Sequence, residues 1–167
     1  RGLGDVYKRQ LLGYQKALRD YGIPYSEKLV SYMDAEEDRY SFRSGYKLTR
    51  QLLMDTEFTA LYATSDTMAI GACRALKEAG ISVPGQCSVA GFDGMDTGEF
   101  YIPSITTIRQ PVEQIAKATA DLLFDMINGK EKPRQLIFEG ELVERESTIP
   151  PADKEKQSSN GTMKREK

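Results

Sequence analysis

Aromatic, hydroxyl and carboxyl side chains follow apolar runs at several points of this 167-residue sequence. Tyr40, Ser65, Asp66 and Asp93 each come shortly after such a run. An aromatic ring can cover the apolar face of a sugar or a base, and carboxylates accept hydrogen bonds from hydroxyls or amines. The set therefore predicts a binding site for a small polar ligand.

Each of these residues also has an ordinary structural explanation. Asp66 and Ser65 are both suited to cap the helix that comes after them, because their side-chain oxygens accept backbone N–H groups. Asp93 precedes Gly94 and could simply form a turn. Tyr40 could be an exposed loop aromatic. The residue types alone leave both explanations open.

The sequence has no His and only two Cys, Cys73 and Cys87. The lack of His excludes Ser-His-Asp and Cys-His nucleophiles, a His general base and an HExxH zinc site. Two Cys cannot complete a tetrahedral zinc site, and no glycine-rich phosphate-binding fingerprint is present. We therefore predict a binding protein rather than an enzyme, with no catalytic residue, metal or cofactor. The two Cys are expected to be buried thiols, although the sequence also allows a disulfide between them.

Net charge and hydropathy indicate which partners and which cellular compartment to expect. With 23 basic and 25 acidic residues the net charge is −2, whereas nucleic-acid-binding domains are usually basic. No apolar run approaches the roughly 18 residues of a membrane span, and no signal peptide pattern opens the chain. The expectation is a soluble, cytoplasmic protein without membrane contact that binds DNA poorly by itself.

Helix and strand patterns alternate through the middle of the chain. Apolar spacing and capping residues predict helices at 11–21, 41–55, 64–80 and 111–129. Apolar runs predict strands at 29–32, 58–63, 87–92 and 105–108, with shorter ones at 135–138 and 142–144. Continuously apolar strands are typical of a parallel sheet with helices on both faces, so we predict a three-layer α/β fold. Ligands bind such sheets beyond the carboxyl ends of the strands, where the polar residues above lie.

The two ends of the chain differ from this middle region. Residues 1–10 show no apolar period that continues into the helix predicted from residue 11, and we interpret them as a non-native artefact segment. Residues 150–167 are rich in Lys, Glu, Ser and Asn, which predicts a disordered tail. Residues 11–149 are the expected folded region.

Six short motifs are distributed along almost all of residues 11–150. They are Gly13–Leu18, Ser44–Tyr46, Ala63–Ala72, Val89–Asp93, Thr106–Pro111 and Glu144–Thr148. In order and spacing the chain resembles the C-terminal effector-binding part of the lactose-repressor/galactose-repressor family of bacterial transcription regulators.

This resemblance implies a fold and a function. The fold would be the C-terminal lobe of a periplasmic-binding-protein-like (type I) core, incomplete here, with residues 108–132 crossing to the N-terminal lobe. The function would be that of a homodimeric repressor that binds a small sugar-like effector in the cleft between its lobes. Operator DNA would be bound only through a helix-turn-helix headpiece outside this chain, which explains the acidic balance.

The resemblance also assigns roles to residues. Tyr40 matches the aromatic that stacks on the effector, Ser65 a hydrogen-bonding side chain, and Asp93 the carboxylate that binds effector hydroxyls or amines. Asp66 matches an Asp whose role we take as mainly structural. Gln10 stands where the family has an effector-binding Arg, and Gln lacks the guanidinium fork.

Ile70 and Tyr101 match positions of the family's dimer interface. From periodicity alone Ile70 could equally belong to the core. Two other functions remain open: a periplasmic sugar-binding protein of a transporter, which shares the fold, and a doubly wound nucleotide-dependent enzyme. An upstream signal peptide would favour the first, and turnover of a small molecule would favour the second.

Overall fold

The computed structural model describes residues 4–32, 40–130 and 132–151. Its helices are α1 (Gly4–Asp20), α2 (Phe42–Asp55), α3 (Asp66–Glu78), α4 (Asp96–Glu99) and α5 (Val112–Ile127). A 3₁₀ turn covers Glu27–Leu29, and the strands are β1 (Ala60–Tyr62), β2 (Ser88–Asp93), β3 (Thr106–Arg109) and β4 (Glu141–Val143).

The strands form one open sheet in the order β1-β2-β3-β4. β1 pairs parallel with β2, and β2 pairs parallel with β3. The α/β class with an open sheet is thus confirmed. One strand departs from the predicted parallel arrangement: β4 runs antiparallel to β3, with Leu142 opposite Ile108. Residue type and apolar content do not encode strand direction, so this feature could not be read from the sequence.

The core lies between α3 and the sheet. The buried face of α3 carries Met68, Ala69, Cys73 and Leu76, which pack with Val89 of β2. These positions have the 3- and 4-residue spacing that places side chains on one side of a helix. This packing fixes the start of α3 against the carboxyl end of β2, where the candidate site lies.

Helix α2 packs against α3 at a close crossing of their backbones. A Cβ atom on Gly45 would collide with the backbone of Met68, and one on Gly71 would collide with the carbonyl of Phe42. Gly at these positions lets the helices approach. Tyr40, which directly precedes the Ser41 cap of α2, is thereby held near the start of α3.

Some predicted elements differ in the structure. Residues 29–32 do not form a strand: Leu29 ends the 3₁₀ turn and Val30 is extended, but the described part of the chain supplies no strand to pair with it. Residues 135–138 are also outside any strand. Pro111 is the N-cap of α5 instead of its first helical residue.

The structure at the two ends of the chain can be compared with the predicted segment boundaries. Helix α1 begins at Gly4 rather than near residue 11, so it includes most of the segment interpreted as non-native; that interpretation stays a prediction. The part of the predicted disordered tail that follows Pro151 lies outside the described residues. Helix α5 has no buried residue, and its Val112, Phe124 and Ile127 are exposed. That this helix crosses to another lobe stays a prediction.

Candidate functional site

Asp93 ends β2 in an unusual backbone conformation. Its φ is +108°, a region that residues other than Gly rarely adopt, and Gly94 comes next with φ +77°. Such a conformation costs about 1–3 kcal/mol and persists only where surrounding contacts enforce it. One contact is the hydrogen bond from the Gly94 N–H to Oγ1 of Thr107 on β3, at 3.3 Å. Asp93 itself belongs to β2 and no turn is assigned at Gly94, so the turn alternative is not borne out; the Asp93 residue is partly buried.

Gln110 holds the Asp93 carboxylate. Its Nε2 donates to Oδ1 of Asp93 at 2.6 Å, and its backbone N–H donates to the Asp93 carbonyl at 3.3 Å. The pKa of Asp93 is raised above its ordinary value, mainly by burial and further by the charge of Asp66, while the Gln110 hydrogen bond opposes the rise. Sequence reasoning missed Gln110, although it lies in the Thr106–Pro111 motif.

Ser65 is the N-cap of α3. Its Oγ accepts the Met68 N–H at 3.3 Å and lies 3.0 Å from Oγ1 of Thr67. Only 3% of Ser65 is exposed to solvent, so its hydroxyl mainly contacts other protein atoms. The N-cap explanation is confirmed, and contact of Ser65 with an effector stays a prediction.

Tyr40 lies next to this cap. Its backbone carbonyl accepts a short hydrogen bond from Oγ1 of Thr67, the same hydroxyl that neighbours Ser65. Its side chain is half-buried and packs against the core cluster, so it is not a freely exposed loop aromatic. The structure therefore brings Tyr40 and Ser65 together through Thr67.

Asp66 is fully buried and its two carboxylate oxygens are both used. Oδ1 accepts from Oγ1 of Thr107 and Oδ2 from the Met95 N–H, each at 2.6 Å. A Cβ on Gly91 would collide with this carboxylate, so Gly at that position makes room for it. The alternative that Asp66 caps the helix is wrong, because Ser65 does so. Asp66 instead ties the start of α3 to β3 and to the loop after Asp93.

Tyr62, which ends β1, is a neighbour that sequence reasoning did not single out. Burial raises the pKa of its phenol to about 12, and the charges of Asp93 and Asp66 add to the rise. Its hydroxyl therefore stays protonated at neutral pH. A neutral phenol near a carboxylate can donate a hydrogen bond to a polar ligand.

Ile70 lies on α3, and Tyr101 comes shortly after α4. Both are partly buried and pack against the core cluster. Arg74, one turn beyond Ile70 on α3, lowers the pKa of Tyr101, whereas burial raises it more strongly. Phe100 and Ile102 beside Tyr101 are 82% and 87% exposed, which leaves apolar surface open next to it.

The two thiols are free and buried, as expected. Burial raises the pKa of Cys73 to about 12 and that of Cys87 to about 11. Across the described residues, no group of three or more Cys, Asp and Glu is arranged to hold a metal ion. None of the helices in these ranges has the length and apolar character needed to cross a membrane.

Comparison with known proteins gives the family. A profile described as periplasmic binding protein-like domain matches residues 5–148, which is most of the chain. The chain belongs to this family. Its relatives bear out the resemblance to the lactose-repressor/galactose-repressor regulators. The regulator MalR of Clostridium butyricum is 37% identical over 152 residues, covering 87% of this chain and 44% of that protein.

Solved structures agree with this assignment. The CelR–cellobiose complex is 37% identical with a TM-score of 0.76, over 82% of this chain and 41% of that one. The lac repressor dimer bound to operator and an anti-inducer is 30% identical with a TM-score of 0.71, over 84% and 47%. The periplasmic binding protein-like chain described here thus spans less than half the length of these relatives.

Proposed function

We propose that this chain is the ligand-sensing part of a bacterial DNA-binding transcription regulator, acting as a repressor. A small sugar-like effector binds at the edge formed by Tyr40, Ser65 and Asp93, and binding is transmitted to a helix-turn-helix headpiece outside this chain. The observation that carries the proposal is the Asp93 carboxylate, held by Gln110 in an enforced backbone conformation at the carboxyl end of β2.

The chemistry of the edge suits a polyol. Asp93 accepts hydrogen bonds from ligand hydroxyls, and Tyr40 supplies an aromatic face for the apolar side of a sugar ring. Asp66 does not take part directly, since both of its oxygens are engaged inside the protein. The similarity to a CelR–cellobiose complex makes cellobiose the first ligand to try.

The protein acts by binding and not by turnover. The known relatives are transcription regulators, which supports a regulator over both a transporter receptor and an enzyme. A ligand with different affinity for two arrangements of the protein shifts their populations, and the headpieces respond to that shift. A cytoplasmic location goes with this role.

The regulator is a homodimer through the face of Ile70 and Tyr101. The apolar surface left open by Phe100 and Ile102 supports this assignment, because such patches mark association sites. The similarity to a lac repressor dimer bound to operator agrees with it.

The test uses the full-length protein and a panel of mono- and disaccharides that includes cellobiose. Differential scanning fluorimetry of the wild type and of Asp93→Ala is compared, with the exposed carboxylate variant Asp96→Ala as the matched control. We expect at least one sugar to raise the Tm of the wild type and of Asp96→Ala but not of Asp93→Ala. Equal shifts in all three proteins would contradict the site. The 167-residue chain alone is expected to bind the same sugar weakly or not at all.

A further inference from the structure

The hydroxyl of Thr107 connects two separate parts of the candidate site. Thr107 lies on β3 and is 1% exposed, and its Oγ1 donates a hydrogen bond to Oδ1 of Asp66 at 2.6 Å. The same oxygen accepts the Gly94 N–H at 3.3 Å. A hydroxyl has one proton and two lone pairs, so it can make both bonds at once. Thr107 therefore joins the start of α3 to the residue that follows Asp93.

The Asp66 carboxylate fixes the direction of these two hydrogen bonds. Because a carboxylate only accepts hydrogen bonds, the proton of Thr107 points to Asp66 and a lone pair faces Gly94. The second oxygen of the carboxylate, Oδ2, accepts the Met95 N–H at 2.6 Å. Two successive backbone N–H groups after Asp93 are thus bound, one by the hydroxyl and one by the carboxylate.

Close packing surrounds both ends of this connection. A Cβ atom on Gly94 would lie 2.7 Å from the Cα of Arg109 on β3, so the backbone there runs directly against the sheet. A Cβ on Gly91 would collide with Oδ1 of Asp66. Neither the backbone after β2 nor the carboxylate has room to shift toward its neighbour, which keeps the Thr107 hydroxyl between two fixed partners.

The hydroxyl acts on the backbone of Asp93, whereas Gln110 acts on its carboxylate. Gln110 donates to Oδ1 of Asp93, and Thr107 binds the N–H of the next residue. The φ of Asp93, +108°, persists only where contacts enforce it. Loss of the hydroxyl should let Asp93 relax to a negative φ. The side chain moves with the backbone, so the carboxylate would then turn away from its present direction.

From these contacts we infer that Thr107 is a positioning residue for effector binding, which acts through the Gly94 N–H to keep the Asp93 carboxylate directed at the ligand. This role rests on the proposed function, because it requires that Asp93 bind the effector. Thr107 does not touch the ligand, since it is buried and its hydroxyl is bonded on both sides. The affinity for the effector thus depends on a hydroxyl outside the binding surface.

Thr106, the preceding residue on β3, offers a matched control. It is 5% exposed, and its Oγ1 accepts the Arg145 N–H at 2.9 Å and lies 2.8 Å from Oγ1 of Thr148. Like Thr107 it is a buried hydroxyl that binds a backbone N–H, but these partners lie outside the candidate site. Thr106→Val should therefore lower stability without changing affinity, whereas Thr107→Val should lower both.

The test measures sugar binding by the full-length protein with isothermal titration calorimetry. Cellobiose is titrated first, and then each other mono- and disaccharide of the panel. We expect folded Thr107→Val to bind at least about tenfold more weakly than the wild type, because the acceptor is no longer held in place. Thr107→Ser keeps the hydroxyl and should bind within about threefold of the wild type, as should Thr106→Val.

Asp93→Ala, titrated in the same series, separates this role from the proposed function. Loss of binding in Asp93→Ala together with unchanged affinity in Thr107→Val would overturn the inference alone. Equal weakening in Thr107→Val and Thr106→Val, or in Thr107→Val and Thr107→Ser, would also overturn it, since the hydroxyl would then not be the cause. Unchanged affinity in Asp93→Ala, or no sugar binding by the wild type, would overturn both.

Hydrogen exchange on the wild type keeps the test valid even where Thr107→Val fails to fold. A bound sugar that holds Asp93 should also hold the backbone coupled to it. At saturation, the amides of Gly94 and Met95 should exchange at least about tenfold more slowly than in the free protein. The Arg145 amide, which is bound by the Thr106 hydroxyl, should show no such change. Unchanged exchange at 94–95, or equal slowing at Arg145, would overturn the inference.

Discussion

Nε2 of Gln110 donates a 2.6 Å hydrogen bond to Oδ1 of Asp93, and the two residues stand at the ends of neighbouring parallel strands. Asp93 is the last residue of β2, and Gln110 comes directly after β3. The pairing of these strands therefore sets the orientation of the carboxylate. A ligand at this edge would meet a fixed acceptor instead of a freely rotating side chain, which reduces the entropy cost of binding.

The same hydrogen bond predicts a change in the titration of Asp93. The bond stabilises the charged form and lowers the pKa, while burial and Asp66 raise it. Gln110→Ala should therefore move the pKa of Asp93 further upward. Carboxyl NMR chemical shifts measured against pH test this, and an unchanged or lower midpoint would be inconsistent with the contact.

Asp66→Ala should cost stability. The change leaves the buried Thr107 hydroxyl and the more exposed Met95 N–H without their acceptor, at a cost of about 3 kcal/mol in the free energy of unfolding. Urea denaturation measures it. Asp96→Ala removes an exposed carboxylate and should change the value by less than about 0.5 kcal/mol. Similar losses for the two variants would argue against the structural role of Asp66.

Gly71→Ala should destabilise the α2–α3 crossing. An added Cβ meets the Phe42 carbonyl, so the two helices must separate, at a cost of at least about 2 kcal/mol. Gly13→Ala is the control: it lies in α1 with no atom within 4 Å of the added Cβ, and should stabilise by about 0.5–1 kcal/mol. Thermal unfolding distinguishes the two, and a neutral Gly71→Ala would refute the close crossing.

The thiols should be inert in the folded chain. Burial raises the pKa of Cys73 to about 12 and of Cys87 to about 11, so little thiolate exists at neutral pH. Alkylation with iodoacetamide, detected by mass spectrometry, should be slow under native conditions and fast in urea. Fast labelling of the native chain would show that this part of the core is open.

The sequence predicted most of the elements that position the site. Helices α2 and α3 have local signals, namely the Ser41 and Ser65 caps and apolar positions spaced for one helix face. β2 could be found from its apolar run, which placed Asp93 at a strand end. These features depend on residues close in the chain, which is why a local pattern reveals them.

Other features depend on contacts between distant residues. The antiparallel direction of β4 and the unpaired segment at 29–32 are decided by which backbone lies alongside, and apolar content carries no such information. Gln110 was missed for the same reason, since its role arises only when β3 lies beside β2. For Asp66 the local sequence suggests a helix cap as one explanation, whereas the partners of its carboxylate are 29 and 41 residues away.

Isothermal titration calorimetry tests the central proposal, that Asp93 binds a sugar-like effector. The full-length wild type and its Asp93→Ala variant are titrated with the sugar that gives the largest Tm shift in the panel. The predicted result is saturable binding by the wild type and none by a folded Asp93→Ala variant. Unchanged affinity in the variant would contradict the proposal.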